Sequence, residues 1–271
     1  MTTHYNIQWL PGQPLPEVFF SLTAKLYQQQ VWRIPENRKS IEQQFSSKNP
    51  YFHTGKAQVF IAEAQARLVG FYQDEQRIDN EKVAYFGFWE TDCDLSLNRD
   101  LFAELALWAK AQGAQRLYGP INFTTYGDNR LRIDSFEQAN FIGEPGNFAY
   151  YPELLHQLGF NIKYHYASYI QQDVQLLARQ MAKPLTQAKE QHQHLLFSRL
   201  DRDIWLQHLP ELYPLVDMIF KENFAYSAIS FDSFSRLCGE SFARKLCPKS
   251  SVLVKDEQGD IAGFFLVFPD Y

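Results

Sequence analysis

The chain has 271 residues, with 26 Lys+Arg against 31 Asp+Glu and a formal charge of −5, which argues against a nucleic-acid partner because phosphate binding calls for a basic excess. Hydrophobic residues make up 45% of it, with 23 Phe, 15 Tyr and 5 Trp, and 21% is charged, so the composition suits one or two globular domains and excludes wholesale disorder. No run approaches the ~20 apolar residues of a membrane helix, and Met1-Thr2-Thr3-His4-Tyr5 carries no targeting pattern, so the expectation is a cytoplasmic protein without a membrane partner.

In chain order, the pattern predicts a strand over His4–Trp9, a helix over Pro16–Gln29 and a short helix over Ser40–Phe45. Two hairpin strands follow, Ala57–Glu63 and Arg67–Arg77, then a long strand over Lys82–Glu90. An amphipathic helix over Asn98–Gln112 carries Leu101, Phe102, Leu105 and Trp108 on one side and stops at Gly113, a residue that ends helices without steric penalty. After a strand at Arg116–Tyr118 comes an irregular stretch over Gly119–Gly146, a short helix over Tyr151–Leu158 and a Tyr-rich strand over Asn161–Ile170. A polar, Gln-rich connection then leads to a strand over Leu195–Arg199, helices over Asp203–Phe220 and Phe231–Leu246, and a hairpin ending at Phe268.

The last part repeats the first. Gln58 to Tyr72 lies over Ser251 to Phe265 at a constant offset of 193 without a gap, with identities Val59/Val252, Gln65/Gln258, Gly70/Gly263 and Phe71/Phe264. Leu15-Pro16-Glu17 recurs as Leu209-Pro210-Glu211. Each hairpin is an apolar strand, a polar turn and a second strand. The second copy has no counterpart of Lys82–Ile170, so its last strand is expected to be an open sheet edge through which a homodimer could pair.

Cys93, Cys238 and Cys247 are unpatterned, which speaks against a disulfide framework and a cysteine zinc site. His192-Gln193-His194 puts two imidazoles on one face of an extended chain with no third ligand nearby, so no metal site is expected. Without a basic patch, Phe160, Tyr164, Tyr166 and Tyr169 read as a sheet face rather than a base-stacking platform.

The order strand, two helices, hairpin, long strand, helix, strand, helix, strand resembles the GNAT superfamily of acyl-CoA N-acyltransferases. So do the phrases Asn49-Pro50-Tyr51-Phe52, Val83 to Glu90, Gly119-Pro120-Ile121-Asn122-Phe123-Thr124, Tyr150-Tyr151-Pro152-Glu153-Leu154-Leu155 and Gly263 to Asp270. They look like a mostly uncharacterised bacterial tandem-GNAT family. The resemblance implies an α/β (α+β) fold with a mixed, largely antiparallel sheet flanked by helices. It makes residues 1–172 a GNAT-like domain, 173–194 a linker and 195–271 the first half of a second GNAT-like domain.

The function so implied is transfer of an acyl group from acetyl-CoA or another acyl-CoA to a small-molecule amine acceptor. The cofactor would lie against Phe88, Trp89, Ser96, Asn98 and Arg99. Where the family carries a glycine-rich phosphate loop, this chain has Glu90 to Asp100 without a glycine and with a local charge of −3, a sequence that repels pyrophosphate. The family's usual acid tyrosine falls at Leu155, with Tyr150 and Tyr151 about one helical turn away. Aminolysis of a thioester needs a base and an acid; the candidates are Glu90 and Tyr151. The polar residues Asn122, Thr124, Tyr126, Asp128, Asn129 and Arg130 open a long insertion and are the candidate substrate site. Two other readings stand beside transfer: a GNAT-fold protein that binds a small molecule or partner without catalysis, and an assembly module pairing through the open half-sheet.

Overall fold

The computed structural model describes residues 6–7, 9–30, 33–141 and 143–269. The chain is mixed α/β and divides into two compact units, residues 1–161 with 221–229, and residues 162–220 with 230–271.

The first unit is built on a five-stranded sheet in the order β1-β2-β3-β4-β5. Its strands are β1 (Asn6–Ile7), β2 (Gly55–Ala62), β3 (Ala66–Ile78), β4 (Glu81–Thr91) and β5 (Arg116–Tyr118). The pairs are antiparallel except β4 with β5, which are parallel; the parallel pair requires a crossover, supplied by α3 (Leu95–Gln112). Within the strand expected over His4–Trp9, the described residues Asn6 and Ile7 pair with β2; His4, Tyr5 and Gln8 lie outside the described residues, as does Asp270.

Successive residues of a strand face opposite ways, and both faces here are apolar. Val59, Ile61, Val69, Phe71, Val83 and Tyr85 join one core with Phe19 of α1 (Glu17–Leu26) and Ile41 of α2 (Arg38–Gln44). Phe60, Ala62, Leu68 and Phe86 join the other with Leu101, Phe102 and Leu105 of α3 and Tyr151, Leu154 and Leu155 of α4 (Tyr150–Gln157). The helix ends are written locally: Asn37 accepts from the Ser40 amide and Asp94 from the Leu97 amide, while Gly113 closes α3 at φ +99°, a conformation that only glycine adopts freely.

The second unit holds the sheet β6-β7-β8, made of β6 (Leu196–Arg199), β7 (Val252–Lys255) and β8 (Ile261–Phe265). Its helices are α5 (Val174–Gln191), α6 (Arg202–Gln207), α7 (Leu209–Phe220), α8 (Phe231–Cys238) and α9 (Glu240–Ala243). Trp205 is its central core residue, packed on Phe242 and Phe264 with its indole N–H donating to the Cys238 carbonyl at 2.6 Å.

Four expectations are corrected. Asn161–Ile170 forms no ladder, and Ile162, Tyr164, Tyr166, Tyr169 and Ile170 are exposed; alternating aromatics make a strand only beside a partner, and the β4–β5 ladder ends at Tyr118. The Gln-rich connection is largely the helix α5, capped by Asp173 on the Leu176 amide, with none of its residues buried. The two helices of the second copy are each broken, at His208 and at Gly239.

The fourth correction concerns the repeat. It shares strand order and antiparallel pairing but not register. Val59 pairs with Val69, whereas the aligned Val252 pairs with Phe265, because the turn Asp256–Asp260 is longer than Glu63–Gln65 and the ladder shifts again between Val254 and Lys255.

Candidate functional site

The ladder between β3 and β4 pairs Arg67 with Glu90 but Val69 with Gly87, leaving Phe88 and Trp89 opposite Leu68 alone. This is a β-bulge, and Phe88 carries its strain at φ +47°. Strict alternation from Val83 and Tyr85, which face α1, would turn Glu90 toward α3. The extra residue brings Glu90 back beside Arg67, on the side of α1.

There the carboxylate is buried and held from three directions. Tyr27 and Tyr151 both donate their hydroxyls to Oε2, at 2.9 and 2.8 Å, and Arg33 donates to Oε1 at 2.9 Å. Tyr151 in turn accepts from the Thr91 amide at 3.0 Å. A second pair lies alongside: Arg67 donates to Glu36 and to the Phe19 carbonyl, with its guanidinium 3.9 Å from the Phe19 ring centre. Burial pushes the Glu90 carboxyl above its ordinary value, opposed by Arg33 and Arg67; burial and the nearby Glu90 charge push both Tyr27 and Tyr151 up. Buried carboxylates resist ionisation unless charges and donors compensate, as Arg33, Arg67 and the two tyrosines do here.

Glu90 and Tyr151, the residues expected from the sequence, are therefore brought together. Tyr27, Arg33, Glu36 and Arg67 were not foreseen. Arg67 carried one signal, its place in a hairpin strand beside the strand of Glu90. Arg33 and Glu36 carried none, since they lie in a segment without regular structure.

The residues expected to hold acyl-CoA divide differently. Trp89 is buried against Phe86, Phe102 and Tyr151. Its indole N–H donates to Asn98 Oδ1, while Asn98 Nδ2 donates to Thr91 Oγ1 at 2.7 Å and the Asp94 carbonyl at 2.8 Å. All the polar atoms of the fully buried Asn98 side chain are thus engaged within the fold. The Phe88 amide donates to Asn122 Oδ1 at 2.7 Å. Gly87 leaves room for that contact, since a Cβ there would stand 2.3 Å from the same oxygen.

Ser96 and Arg99 are exposed on the first turns of α3. A helix N-terminus attracts anions through its free amides, but this one already holds two carboxylates. Asp94 caps the Leu97 amide at 2.9 Å and Asp92 accepts from the Asp94 amide at 3.1 Å. The residues present do not fit a pyrophosphate.

The candidate substrate loop folds onto itself. Asn122 and Asp128 join through the backbone at 2.8 Å, and the Arg130 amide reaches the Pro120 carbonyl at 3.0 Å. Asn129 Nδ2 donates to the Thr125 and Gly127 carbonyls, Thr124 Oγ1 accepts from the Tyr126 amide, and the Tyr126 and Tyr226 hydroxyls lie 3.1 Å apart. Arg130 faces Glu144 at 3.8 Å, and Asp128 is exposed. Further on, Arg132 gathers the Asp134, Ser135 and Gln138 carbonyls and Asn140 Oδ1. The described residues of the insertion hold one another by these bonds, and apart from Asp128 the side chains named face its own backbone or neighbours.

Among the described residues no group of His, Cys, Asp and Glu could hold a metal ion, and no helix is long and apolar enough to cross a membrane. No family model matches the chain, and neither a curated protein nor a solved structure matches it.

Proposed function

We propose that the first unit is a GNAT-like domain that binds a small polar ligand at Glu90 and does not hold acyl-CoA at α3. The observation that carries this reading is the pair Asp92 and Asp94 on the amides where a pyrophosphate would sit. The strand order, with a parallel β4–β5 pair joined by α3, supports the kinship. The network around Glu90 supports the ligand site, because burying charges is costly and this unit sets two ion pairs side by side, with Arg67 and Glu90 buried and their partners Glu36 and Arg33 partly so.

Acyl transfer to an amine is the second reading, favoured by one observation: Tyr151 and Glu90, the acid and base that transfer needs, are 2.8 Å apart. Calorimetric titration of the chain with acetyl-CoA separates the two. The binding reading expects no saturable heat up to about millimolar ligand, and a dissociation constant of about a micromolar or tighter would replace it with the transferase.

A further inference from the structure

We infer that Tyr27, Glu90 and the Gly146 carbonyl form a guanidinium seat that the chain fills with its own Arg33, and that a small guanidinium compound displaces it. The inference deepens the reading above and rests on it only for the place of the ligand. Arg33 is held as a planar cation is best held: its guanidinium carbon lies 4.4 Å from the centre of the Tyr27 ring, one nitrogen donates to Glu90 Oε1 at 2.9 Å, and the other donates to the Gly146 carbonyl.

The walls of this seat do not depend on Arg33. Tyr27 and Tyr151 fix the Glu90 carboxylate through its other oxygen. The Tyr27 ring is stacked on Phe148 at 4.6 Å and 9°, and Phe148 on Tyr150 at 5.4 Å and 10°. The occupant is held less well than its walls. Arg33 comes from a segment without helix or strand, its side chain is 19% exposed against 9% for Glu90, and its Nε is buried without a partner. Arg67 shares the unpartnered Nε but differs in the rest: it issues from β3, is fully buried, and joins Glu36 and the Phe19 carbonyl. Arg67 belongs to the frame, and Arg33 occupies a site. An untethered guanidinium can turn to use the N–H that the tether of Arg33 leaves unmet.

The test is calorimetric titration of the full chain and of its Arg33→Ala and Arg33→Gln variants with methylguanidinium at about pH 8, where more of the raised Glu90 carboxyl is ionised than at neutral pH. Methylammonium serves as the comparison cation. Arg33→Ala is expected to bind methylguanidinium at least about ten-fold more tightly than the parent chain and more tightly than it binds methylammonium, and Arg33→Ala/Glu90→Gln is expected to lose that binding. Equal affinity in parent and variants, or no binding by a variant that still melts cooperatively, overturns the proposal. If neither variant melts cooperatively, the transition is expected to return with methylguanidinium in the solvent, and its failure to return overturns the proposal equally. Acetyl-CoA binding would defeat the earlier reading and leave this result untouched.

Discussion

Arg67 and Glu90 stand opposite one another on β3 and β4, yet each takes its direct partner elsewhere: Arg67 binds Glu36, and Glu90 binds Arg33. Two ion pairs are thereby set side by side under α1. The bulge at Phe88 and Trp89 makes this arrangement, because it alone places Glu90 on the face that Arg67 already occupies.

Glu90 should leave a signature in the pH dependence of stability. Its carboxyl is raised by burial above the ordinary 4.5, so at a pH between the ordinary and the raised value the folded chain holds more of this proton than the unfolded chain does. The stability tied to this group is fully present below the ordinary value and is lost as pH rises through the raised one. Glu90→Gln cannot titrate, so urea unfolding of this variant between about pH 4 and about pH 8 should show a flatter profile than the parent. Identical profiles would mean that the carboxyl is not raised.

The two tyrosines on Glu90 differ in what their hydroxyls support. Tyr27→Phe removes one donor from the carboxylate, with an expected loss of about 1 kcal/mol. Tyr151→Phe removes a donor and also strips the buried Thr91 amide of its acceptor, so about 2 kcal/mol is expected. Chemical denaturation of both variants gives the order; a larger loss for Tyr27→Phe would contradict the assigned bonds.

Asn98 was expected to face a cofactor, but its amide ties Trp89, Thr91 and Asp94 together. Asn98→Ala would leave buried donors and acceptors unmet and should destabilise the chain by about 3 kcal/mol. A loss below about 1 kcal/mol would return the side chain to the list of groups free to meet a ligand.

Much of the first unit is legible in the sequence. Helix α3 is marked by its apolar spacing and by Gly113, although it begins at Leu95 rather than Asn98 because Asp94 is its cap. The hairpin β2–β3 and strand β4 follow from their apolar runs. The strand expected over Asn161–Ile170 fails because its pattern describes a sheet face whereas pairing depends on a neighbour. Helix α5 was hidden by its glutamines, which propensity tolerates in a helix as readily as in a linker.

The site is legible only in part. Glu90 and Tyr151 can be named from position, while Arg33 and Glu36 cannot, since no periodicity governs a segment without regular structure. The bulge that turns Glu90 toward them leaves no mark in the residues Phe88 and Trp89.

The claim that α3 refuses phosphate is tested most directly by titrating inorganic pyrophosphate into the parent chain and into Asp92→Asn/Asp94→Asn. Asparagine keeps the cap and removes both charges, so the variant is expected to bind pyrophosphate at least about ten-fold more tightly than the parent. Equal affinities, or a parent chain that already binds at about a micromolar, would contradict the assignment of Asp92 and Asp94 as the groups that hold this helix terminus against an anion.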